Sequence, residues 1–496
     1  KKINYQILSF IIFSLPILEF LKDNFYEIGI ILGKNLFILI FLIFGFLFIT
    51  AFLLKFFFKK KDFYDTLLIT IVGFWLIFKH NTINRFLITT KENNSFINLF
   101  SSEIFLILIF IFFFIFLFLF IQKNIFFKKF LFIFFYLNFF LILIQINFIK
   151  SDLANKDIKL SNKILFADLI KGEKPNIYFF ILDGMQPIKD FEENYKVDLS
   201  KFLNEIKNKN YIYHDNTLNF YGGTTYGLSA FFNLDKIISN DGKMKIKSSS
   251  YFPLVLKENK SSNLLNNLNN LGYDFKWAGN YFAYCPKFNL KYCLNQNKST
   301  VDLYLYLSFF GKSPLIQLTQ IFGELFNFDF KNYIFYKSLG GEGIFKLHDG
   351  IGRLTEYLSQ IQNIDKPTFY FIHHMSPHHP YLTNSDCSYK NYLGKINIES
   401  EVFSYEGYKE AYLCNLKKIS ETIKLLETKD PNSFIIFQSD HNWRMAKTSL
   451  EKKKIFNLFK VKDNCKYDLD QNLNNVNMLR LVLSCITGSD LGFIEN

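Results

Sequence analysis

The sequence predicts an N-terminal multi-helix transmembrane region followed by an α/β outer domain with a mostly parallel sheet. Two observations support this prediction. The strongly apolar residues lie before Lys150, in five long runs. After Lys150, short apolar runs typical of strands alternate with segments of helical spacing. At 496 residues the chain is long enough for at least two units, which excludes a single small binding module.

The composition agrees with this division. Half of the residues are hydrophobic and 64 are Phe, yet 20% are charged, which indicates that the two classes are segregated along the chain. A wholly soluble, disordered or collagen-like chain is therefore excluded. We expect a transmembrane anchor at 1–150, a polar linker at 151–174 and an outer domain at 175–496.

The five apolar runs lie at 7–21, 36–57, 67–87, 104–121 and 130–149. A helix needs about 20 residues to cross a bilayer core of about 30 Å, and the second, fourth and fifth runs meet this length. The first run contains Pro16 and Glu19, and the third ends in basic residues, so either could be tilted or partly interfacial. We predict about five spans.

The basic residues between the runs predict the orientation. Lys59–Lys61 follow the second run and Lys123, Lys128 and Lys129 follow the fourth, so both loops are predicted to be cytoplasmic. Five spans then place the chain after Lys150 on the outer, periplasmic face of the inner (plasma) membrane. Residues 1–150 hold 15 Lys and Arg against 7 Asp and Glu, so +8 of the net +13 charge lies there. This explains the basic excess by topology and argues against nucleic-acid binding.

The outer domain begins with a continuous apolar run at Ile177–Leu182, typical of a strand buried on both faces. Further strands are predicted at 211–213, 273–278, 368–372, 434–437 and 455–459. Between them, leucines at 264–271 repeat at helical spacing and stop at Gly272, and 408–426 is a long amphipathic segment. This alternation predicts the mostly parallel sheet.

Metal-type side chains follow three of the predicted strands. Asp183 follows the first strand and Asp440-His441 follow the strand at 434–437. After the strand at 368–372 come four histidines: His373, His374, His378 and His379. Ligands gather at the carboxyl ends of parallel strands, and carboxylate with imidazole suits Zn or Mn, so the three clusters together favour a divalent metal site. A lone Asp in such a place would more often be a helix cap or turn residue.

The order and spacing of these segments resemble the sulfatase-like branch of the alkaline phosphatase superfamily, and within it the membrane-anchored phosphoethanolamine and phosphoglycerol transferases (lipoteichoic acid synthase-like). The match covers about 175–486. It rests on PNIYFFILDG from Pro175, HHMSPHHPY from His373 and FQSDH from Phe437. The resemblance implies an alkaline phosphatase-like fold, a metal-dependent enzyme, and Asp183, Asp440 and His441 as metal ligands.

The resemblance also implies a nucleophile at a helix start, and the segment YGGTTYGLS from Tyr221 fits. Thr224 is the better match, with Thr225 as the alternative, and it would attack phosphorus and bind the metal. A Gly-Gly turn would let the backbone approach a phosphate, although Thr224 could equally be a plain helix cap. His378 is expected to contact the phosphate or protonate the leaving alcohol, and His373 to contact the substrate.

The chain departs from the family patterns at three places. The Cys-x-Pro-x-Arg type motif of sulfatases proper does not occur, so sulfate ester hydrolysis by an aldehyde is not expected. Asn442-Trp443-Arg444 stands where Gly is usual after the Asp-His pair, and Gly227 stands where Ser is usual three residues after the nucleophile.

The leading hypothesis is a transferase that moves phosphoethanolamine or phosphoglycerol from a membrane phospholipid to an envelope lipid or glycan through a phosphothreonine intermediate. The alternatives are a hydrolase of phosphate or sulfate esters and a non-catalytic membrane-anchored envelope protein. All six cysteines follow Lys150, as expected in an oxidising outer compartment. Cys285 and Cys293 could close a small disulfide loop, and other pairings, such as Cys387 with Cys414, stay open.

Overall fold

The computed structural model describes part of the chain. The described ranges are 2–23, 125–155, 174–238, 262–278, 349–361, 367–379, 381–390, 404–443, 448–461 and 473–495, with scattered positions between 41 and 75 and single positions at 294 and 465. Contacts between residues divide these ranges into two compact units. One unit contains the described residues up to 155, and the other contains those from 174 onward.

The first unit contains helices α1 (Lys2–Asp23) and α2 (Ile125–Asn155), which pack against each other. The predicted runs 7–21 and 130–149 lie within them, whereas 104–121 lies outside the described residues and 36–57 and 67–87 are described only at scattered positions. Pro16 lies inside α1. Among the described residues, no helix reaches both the length and the apolar character that a bilayer crossing requires.

The second unit is built on a six-stranded sheet with the order β2-β6-β5-β1-β4-β3. Its strands are β1 (Ile177–Leu182), β2 (Ile212–Tyr213), β3 (Asp274–Ala278), β4 (Thr368–His374), β5 (Phe434–Gln438) and β6 (Asn457–Lys460). Its helices are α3 (Ile188–Tyr195), α4 (Ser200–Asn208), α5 (Thr224–Asn233), α6 (Asn263–Asn270), α7 (Gly350–Gln360), α8 (Tyr405–Lys429), α9 (Ser449–Lys453) and α10 (Asn475–Thr487). Each of the six predicted strand segments overlaps one of these strands.

The sheet is mixed, because β6 alone is reversed. β1 pairs in parallel with β4 and β5, and β3 pairs in parallel with β4. β6 is antiparallel to both β5 and β2. Helix α9, which lies between β5 and β6, has five residues and spans only about 7 Å. After it the chain returns beside β5 in the opposite direction.

Helices cover both faces of the sheet, so the second unit is a three-layer α/β domain. On one face, α5, α6 and α10 pack on apolar residues such as Phe179 and Ile436. On the other, α3, α7 and α8 pack on Tyr178, Phe180 and their neighbours. All six residues of β1 are buried, which confirms the prediction of a strand covered on both sides.

Two predicted helices show the local signals that delimit them. Helix α6 begins after Ser262, whose side chain accepts from the Leu265 backbone N–H, and is followed by Gly272 at φ +75°. The predicted amphipathic segment at 408–426 forms the centre of α8, which Ser404 caps by accepting from the Gly407 N–H. Helix α8 directs Tyr408 and Tyr412 toward the loop that follows β1.

Candidate metal centre

The predicted metal-type residues meet at one edge of the sheet, because β1 lies between β4 and β5. The register pairs Ile181 of β1 with His373 of β4 and with Gln438 of β5. Asp183 comes two residues after Ile181, and Asp440 two residues after Gln438. Adjacent strands of equal direction therefore bring these carboxylates together with His373.

Asp183, His373 and Asp440 form a buried group whose ligand atoms lie within 4.8 Å of one another. His373 Nε2 is 3.1 Å from Asp183 Oδ2. Asp440 Oδ1 accepts hydrogen bonds from the backbone N–H groups of Gly184 at 3.1 Å and His441 at 3.0 Å. Its rotamer is thus fixed by the loops after β1 and β5.

Asp183, His378 and His441 form a second group of the same size, which shares Asp183 with the first. His441 Nε2 lies 3.3 Å from Asp183 Oδ1. His441 Nδ1 is 2.7 Å from the Asn442 carbonyl oxygen, and His378 Nδ1 is 2.6 Å from the His379 carbonyl oxygen. Since a carbonyl oxygen only accepts, Nδ1 carries the proton in both rings and Nε2 is the atom left for a ligand.

The electrostatics of the site favour positive charge. Burial alone would lower the pKa of His441, but the carboxylates of Asp440 and Asp183 outweigh it and raise that pKa to about 10. Burial would raise the pKa of Asp183, but His378, His373 and His441 together hold it well below its usual range. Within the described part of the chain, three neighbouring imidazoles thus offset the buried charge of Asp183.

The residues present fit a divalent cation. Asp440 Oδ2 is buried without a hydrogen-bond partner among the described residues, and His441 Nε2 lies 3.7 Å from it. Burying a carboxylate oxygen without a hydrogen bond costs several kcal/mol, so this oxygen favours a bound cation. Carboxylate oxygens and imidazole nitrogens are donors that Zn and Mn both accept. The donor set supports a divalent metal and does not separate the two.

The sequence assigned His373 and His378 to the substrate, whereas the structure brings both within ligand distance of Asp183. His373 is 1% exposed and its Nε2 contacts Asp183 Oδ2, so it is buried against Asp183 rather than open to a substrate. His378 is half-buried and its ring stacks on His379 with centroids 4.0 Å apart. His374 is directed elsewhere: its Nε2 lies 3.1 Å from Asn415 Oδ1 of α8.

Thr224 is the first residue of α5, as predicted for a nucleophile at a helix start, and is half-buried. Asn219 connects this region to the metal-type residues. Its side-chain amide donates to the Asp440 carbonyl oxygen, and its Oδ1 accepts from the Tyr221 N–H at 3.0 Å. The Gly-Gly turn and the Asp440 loop are thus held together by one buried side chain that the sequence did not single out.

Gly227 is explained by the same contact. A Cβ at this position would lie 2.5 Å from Asn219 Nδ2, closer than real atoms approach. The Ser that the family pattern would place here therefore does not fit beside Asn219. The Gly227 carbonyl oxygen also accepts from Asn475 Nδ2 at 3.0 Å, which ties α5 to α10.

The described residues contain two disulfides, Cys387–Cys414 and Cys465–Cys485. The first joins the segment after the histidine loop to α8, and it resolves the pairing that the sequence left open. Cys285 and Cys293 lie outside the described residues, as does the side chain of Thr225.

No protein-family model and no curated protein matches the chain. Solved structures do match. One match is an integral membrane protein, the lipooligosaccharide phosphoethanolamine transferase A (EptA) of Neisseria meningitidis. It has 11% sequence identity and a TM-score of 0.41, and the match covers 96% of this chain and 95% of EptA. The C-terminal periplasmic domain of EptC from Escherichia coli, in complex with Zn, matches with 13% identity, 64% of this chain, 83% of its own and a TM-score of 0.40.

A third matching structure, YidJ of Bacteroides fragilis, is assigned as a sulfatase and has 10% identity, 65% coverage of this chain, 81% of its own and a TM-score of 0.34. The matched proteins thus include the two classes that the sequence resemblance names, phosphoethanolamine transferases and sulfatases. Every one of these TM-scores is 0.41 or lower.

Proposed function

We propose that the protein is a metal-dependent phosphoryl-group transferase of the sulfatase-like type. The observation that carries this proposal is the buried group of Asp183, His373 and Asp440, with His441 beside Asp183. One Asp440 oxygen has no hydrogen-bond partner among the described residues, and Asn219 links Asp440 to the helix that begins at Thr224. The donor would be a membrane phospholipid, and the acceptor an envelope lipid or glycan.

Asp183, Thr224, Asp440 and His441 would hold Zn or Mn. Such a cation acts as a Lewis acid, which lowers the pKa of a hydroxyl and offsets the charge of a phosphate. Asp440 is presented for this role by the backbone N–H groups that fix its Oδ1 and leave Oδ2 free. His441 is presented by the bond from its Nδ1 to the Asn442 carbonyl oxygen.

In the first half-reaction, Thr224 loses its hydroxyl proton to solvent and its Oγ1 attacks the phosphorus of the donor. A bond forms between Oγ1 and phosphorus, and the bond between phosphorus and the glycerol oxygen of diacylglycerol breaks. The leaving oxygen takes a proton from His378. The product is a phosphothreonine that carries the ethanolamine or glycerol substituent, and the start of α5 stabilises its negative charge.

In the second half-reaction, an acceptor hydroxyl gives its proton to His378 and attacks phosphorus. The bond from phosphorus to Oγ1 breaks, and Thr224 recovers a proton from solvent. His378 suits this alternation because its Nδ1 is engaged by the His379 carbonyl oxygen, so that Nε2 exchanges the proton. The same half-reaction with water as the acceptor would make the protein a hydrolase.

We further propose that residues 1–150 anchor the catalytic domain at 175–496 to the inner membrane through about five spans, with 151–174 as the linker. Support comes from the apolar side chains that α2 exposes, including Phe126 at 79%, Ile133 at 66% and Leu137 at 58%. Exposed apolar patches of this kind mark interaction surfaces, and lipid suits a surface of Phe, Ile and Leu. The catalytic domain would then face the periplasm beside the phospholipid headgroups.

The test uses the full-length protein in lipid nanodiscs with headgroup-labelled phosphatidylethanolamine or phosphatidylglycerol and Zn²⁺ or Mn²⁺. Mass analysis of the trapped protein should find the added headgroup on Thr224, and Thr224→Ala should show none. A modification on Thr225 would move the nucleophile by one residue. If the labelled headgroup is released as a free product although a glycan acceptor is present, the protein is a hydrolase. If the protein carries neither the modification nor a metal, a non-catalytic envelope protein is favoured.

A further inference from the structure

Three aromatic side chains connect the loops that carry the metal-type residues: Tyr381, Tyr408 and Trp443, named the aromatic clamp below. Tyr381 lies three residues after His378, Trp443 lies two residues after His441, and Tyr408 comes from α8. Their exposed fractions are 4%, 0% and 8%, so they form part of the core behind the site.

Tyr408 fixes the loop that follows β1. Its hydroxyl donates to the Gly184 carbonyl oxygen at 3.0 Å and accepts from the Gln186 N–H at 3.0 Å. Gly184 directly follows Asp183, and its own N–H donates to Asp440 Oδ1. Gly184 has φ +71°, a conformation that other residues rarely adopt, so the turn after Asp183 requires glycine at this position. Burial raises the pKa of Tyr408 far above its usual value, and its hydroxyl stays a donor.

Trp443 joins the other two loops to Tyr408. Its ring stacks on Tyr408 with centroids 4.7 Å apart and an interplanar angle of 23°. Its Nε1 donates to the Tyr381 hydroxyl at 3.1 Å, and the Tyr381 ring meets Tyr408 edge-on at 5.7 Å. The Trp443 N–H also donates to Asn442 Oδ1 at 2.6 Å, and the Asn442 carbonyl oxygen orients His441.

We infer that the aromatic clamp positions the three metal-bearing loops relative to one another, so that Tyr381, Tyr408 and Trp443 set the affinity of the metal centre without touching the metal. The inference rests on the proposed function, because it presumes that the centre binds a cation. Removing a residue that orients a metal ligand typically lowers metal affinity about 10- to 100-fold. We expect an effect of this size when any one member of the aromatic clamp is removed.

The test is a Zn²⁺ titration of the full-length protein against a chromophoric chelator, at a temperature where circular dichroism shows each variant folded. Trp443→Phe keeps a ring and removes the Nε1 donor, and Tyr381→Phe removes only the acceptor hydroxyl. Each should weaken Zn²⁺ binding about tenfold. The double variant should bind Zn²⁺ at most about threefold more weakly than either single variant, because both changes remove the same hydrogen bond.

Tyr273→Phe is the matched control. Tyr273 is 4% exposed and donates to the Pro175 carbonyl oxygen at 2.7 Å, at the amino end of the sheet and away from the site. This variant loses one buried hydrogen bond and should keep Zn²⁺ affinity within about twofold, as expected for a change remote from the ligands. A loss of stability alone would therefore not imitate the clamp variants.

The outcomes separate the inference from the proposed function. If Asp440→Asn loses Zn²⁺ binding while Trp443→Phe and Tyr381→Phe bind as tightly as Tyr273→Phe, the clamp is refuted and the metal centre stands. If Asp440→Asn binds Zn²⁺ as the unmodified protein does, the metal centre is refuted and the clamp with it. Independent tenfold losses that multiply in the double variant would also refute the shared hydrogen bond.

Discussion

His441 Nε2 lies 3.3 Å from Asp183 Oδ1, although the two residues follow strands far apart in the sequence. The contact exists because β5 pairs directly with β1 in parallel, so that both strands deliver their next residues to the same edge. The imidazole offsets the buried charge of Asp183, whereas Oδ2 of the neighbouring Asp440 has no hydrogen-bond partner among the described residues. That oxygen is therefore the most direct reason to expect a cation.

The first prediction concerns the metal ligands. Asp440→Asn should abolish metal binding and activity while the α/β unit stays folded. An Asn side chain keeps an oxygen to accept from the Gly184 and His441 N–H groups, and it removes a buried charge. The unmodified protein should gain about 2.7 kcal/mol of stability from metal at 100 times its Kd, and the variant none.

Thermal unfolding with and without Zn²⁺ measures this difference. His441→Ala should behave in the same way with respect to metal, because its Nε2 is a predicted ligand. If Asp440→Asn is unfolded under conditions in which the metal-free unmodified protein is folded, the carboxylate is needed for the fold itself. The same gain in the variant as in the unmodified protein would exclude Asp440 as a ligand.

The second prediction separates the nucleophile from the ligands. Thr224→Ala should retain most of the metal affinity, since it removes one weak donor, but turnover should fall by about three orders of magnitude or more. Turnover of labelled phospholipid and Zn²⁺ affinity are measured on the same sample. Thr225→Ala is the control and should keep near-normal turnover. The reverse result would shift the nucleophile by one residue, and normal turnover in both would exclude a covalent threonine mechanism.

The third prediction tests the link from α5 to Asp440. Gly227→Ala should lower the free energy of unfolding by about 1–3 kcal/mol, because the added Cβ would force Asn219 away from its bond to the Asp440 carbonyl oxygen. Gly222→Ala is the matched control: its Cβ would lie 3.4 Å from Lys452, an ordinary contact. That variant should stay within about 0.5 kcal/mol of the parent.

Urea unfolding of Gly227→Ala combined with Asn219→Ala completes this test. Removal of the Asn219 amide makes room for the new Cβ, so the double variant should be less destabilised than the sum of the two single ones by about 1 kcal/mol or more. Additive effects would show that the two residues do not compete for the same space.

The sequence predicted the strands and the positions of Asp183, His373, Asp440 and His441 at their ends, because short apolar runs and the residues after them are local signals. It could not predict the strand order or the reversal of β6, which depend on how separate segments pair. The contact between Asn219 and Asp440 is missed for the same reason. Nothing near Asn219 in the sequence distinguishes it from the many other asparagines of this chain.

The four histidines at the end of β4 and in the loop that follows it also looked alike in the sequence. His373 and His374 are consecutive residues of a strand, so their side chains point to opposite faces. His373 faces Asp183, whereas His374 faces α7 and α8, where its Nδ1 lies 3.4 Å from Asp349 Oδ1. Strand alternation alone would have shown that the two histidines cannot both join one centre.

The last prediction uses this buried histidine. Burial, together with the Lys418 cation, lowers the pKa of His374 to about 4 despite the opposing charge of Asp349. In the unfolded chain the pKa of this histidine is near 6.5. Between pH 6.5 and about 4 the unfolded chain therefore binds more protons than the folded protein, and stability falls as the pH falls through this window. The loss should reach about 3 kcal/mol by pH 4.

This slope belongs to His374 because the neighbouring groups change elsewhere. The raised pKa of His441 gives a contribution that is complete below pH 6.5 and is lost only as the pH rises toward about 10. The lowered pKa of Asp349 gives a contribution to stability that is present above the usual pKa of an aspartate and is lost only as the pH falls below that value. The free energy of unfolding is measured with urea between pH 4 and 7, with a chelator present to remove metal. It should decline with falling pH in the unmodified protein and in a His214→Gln control, and it should stay nearly constant in His374→Gln. An equal decline in His374→Gln would show that another group takes up the proton.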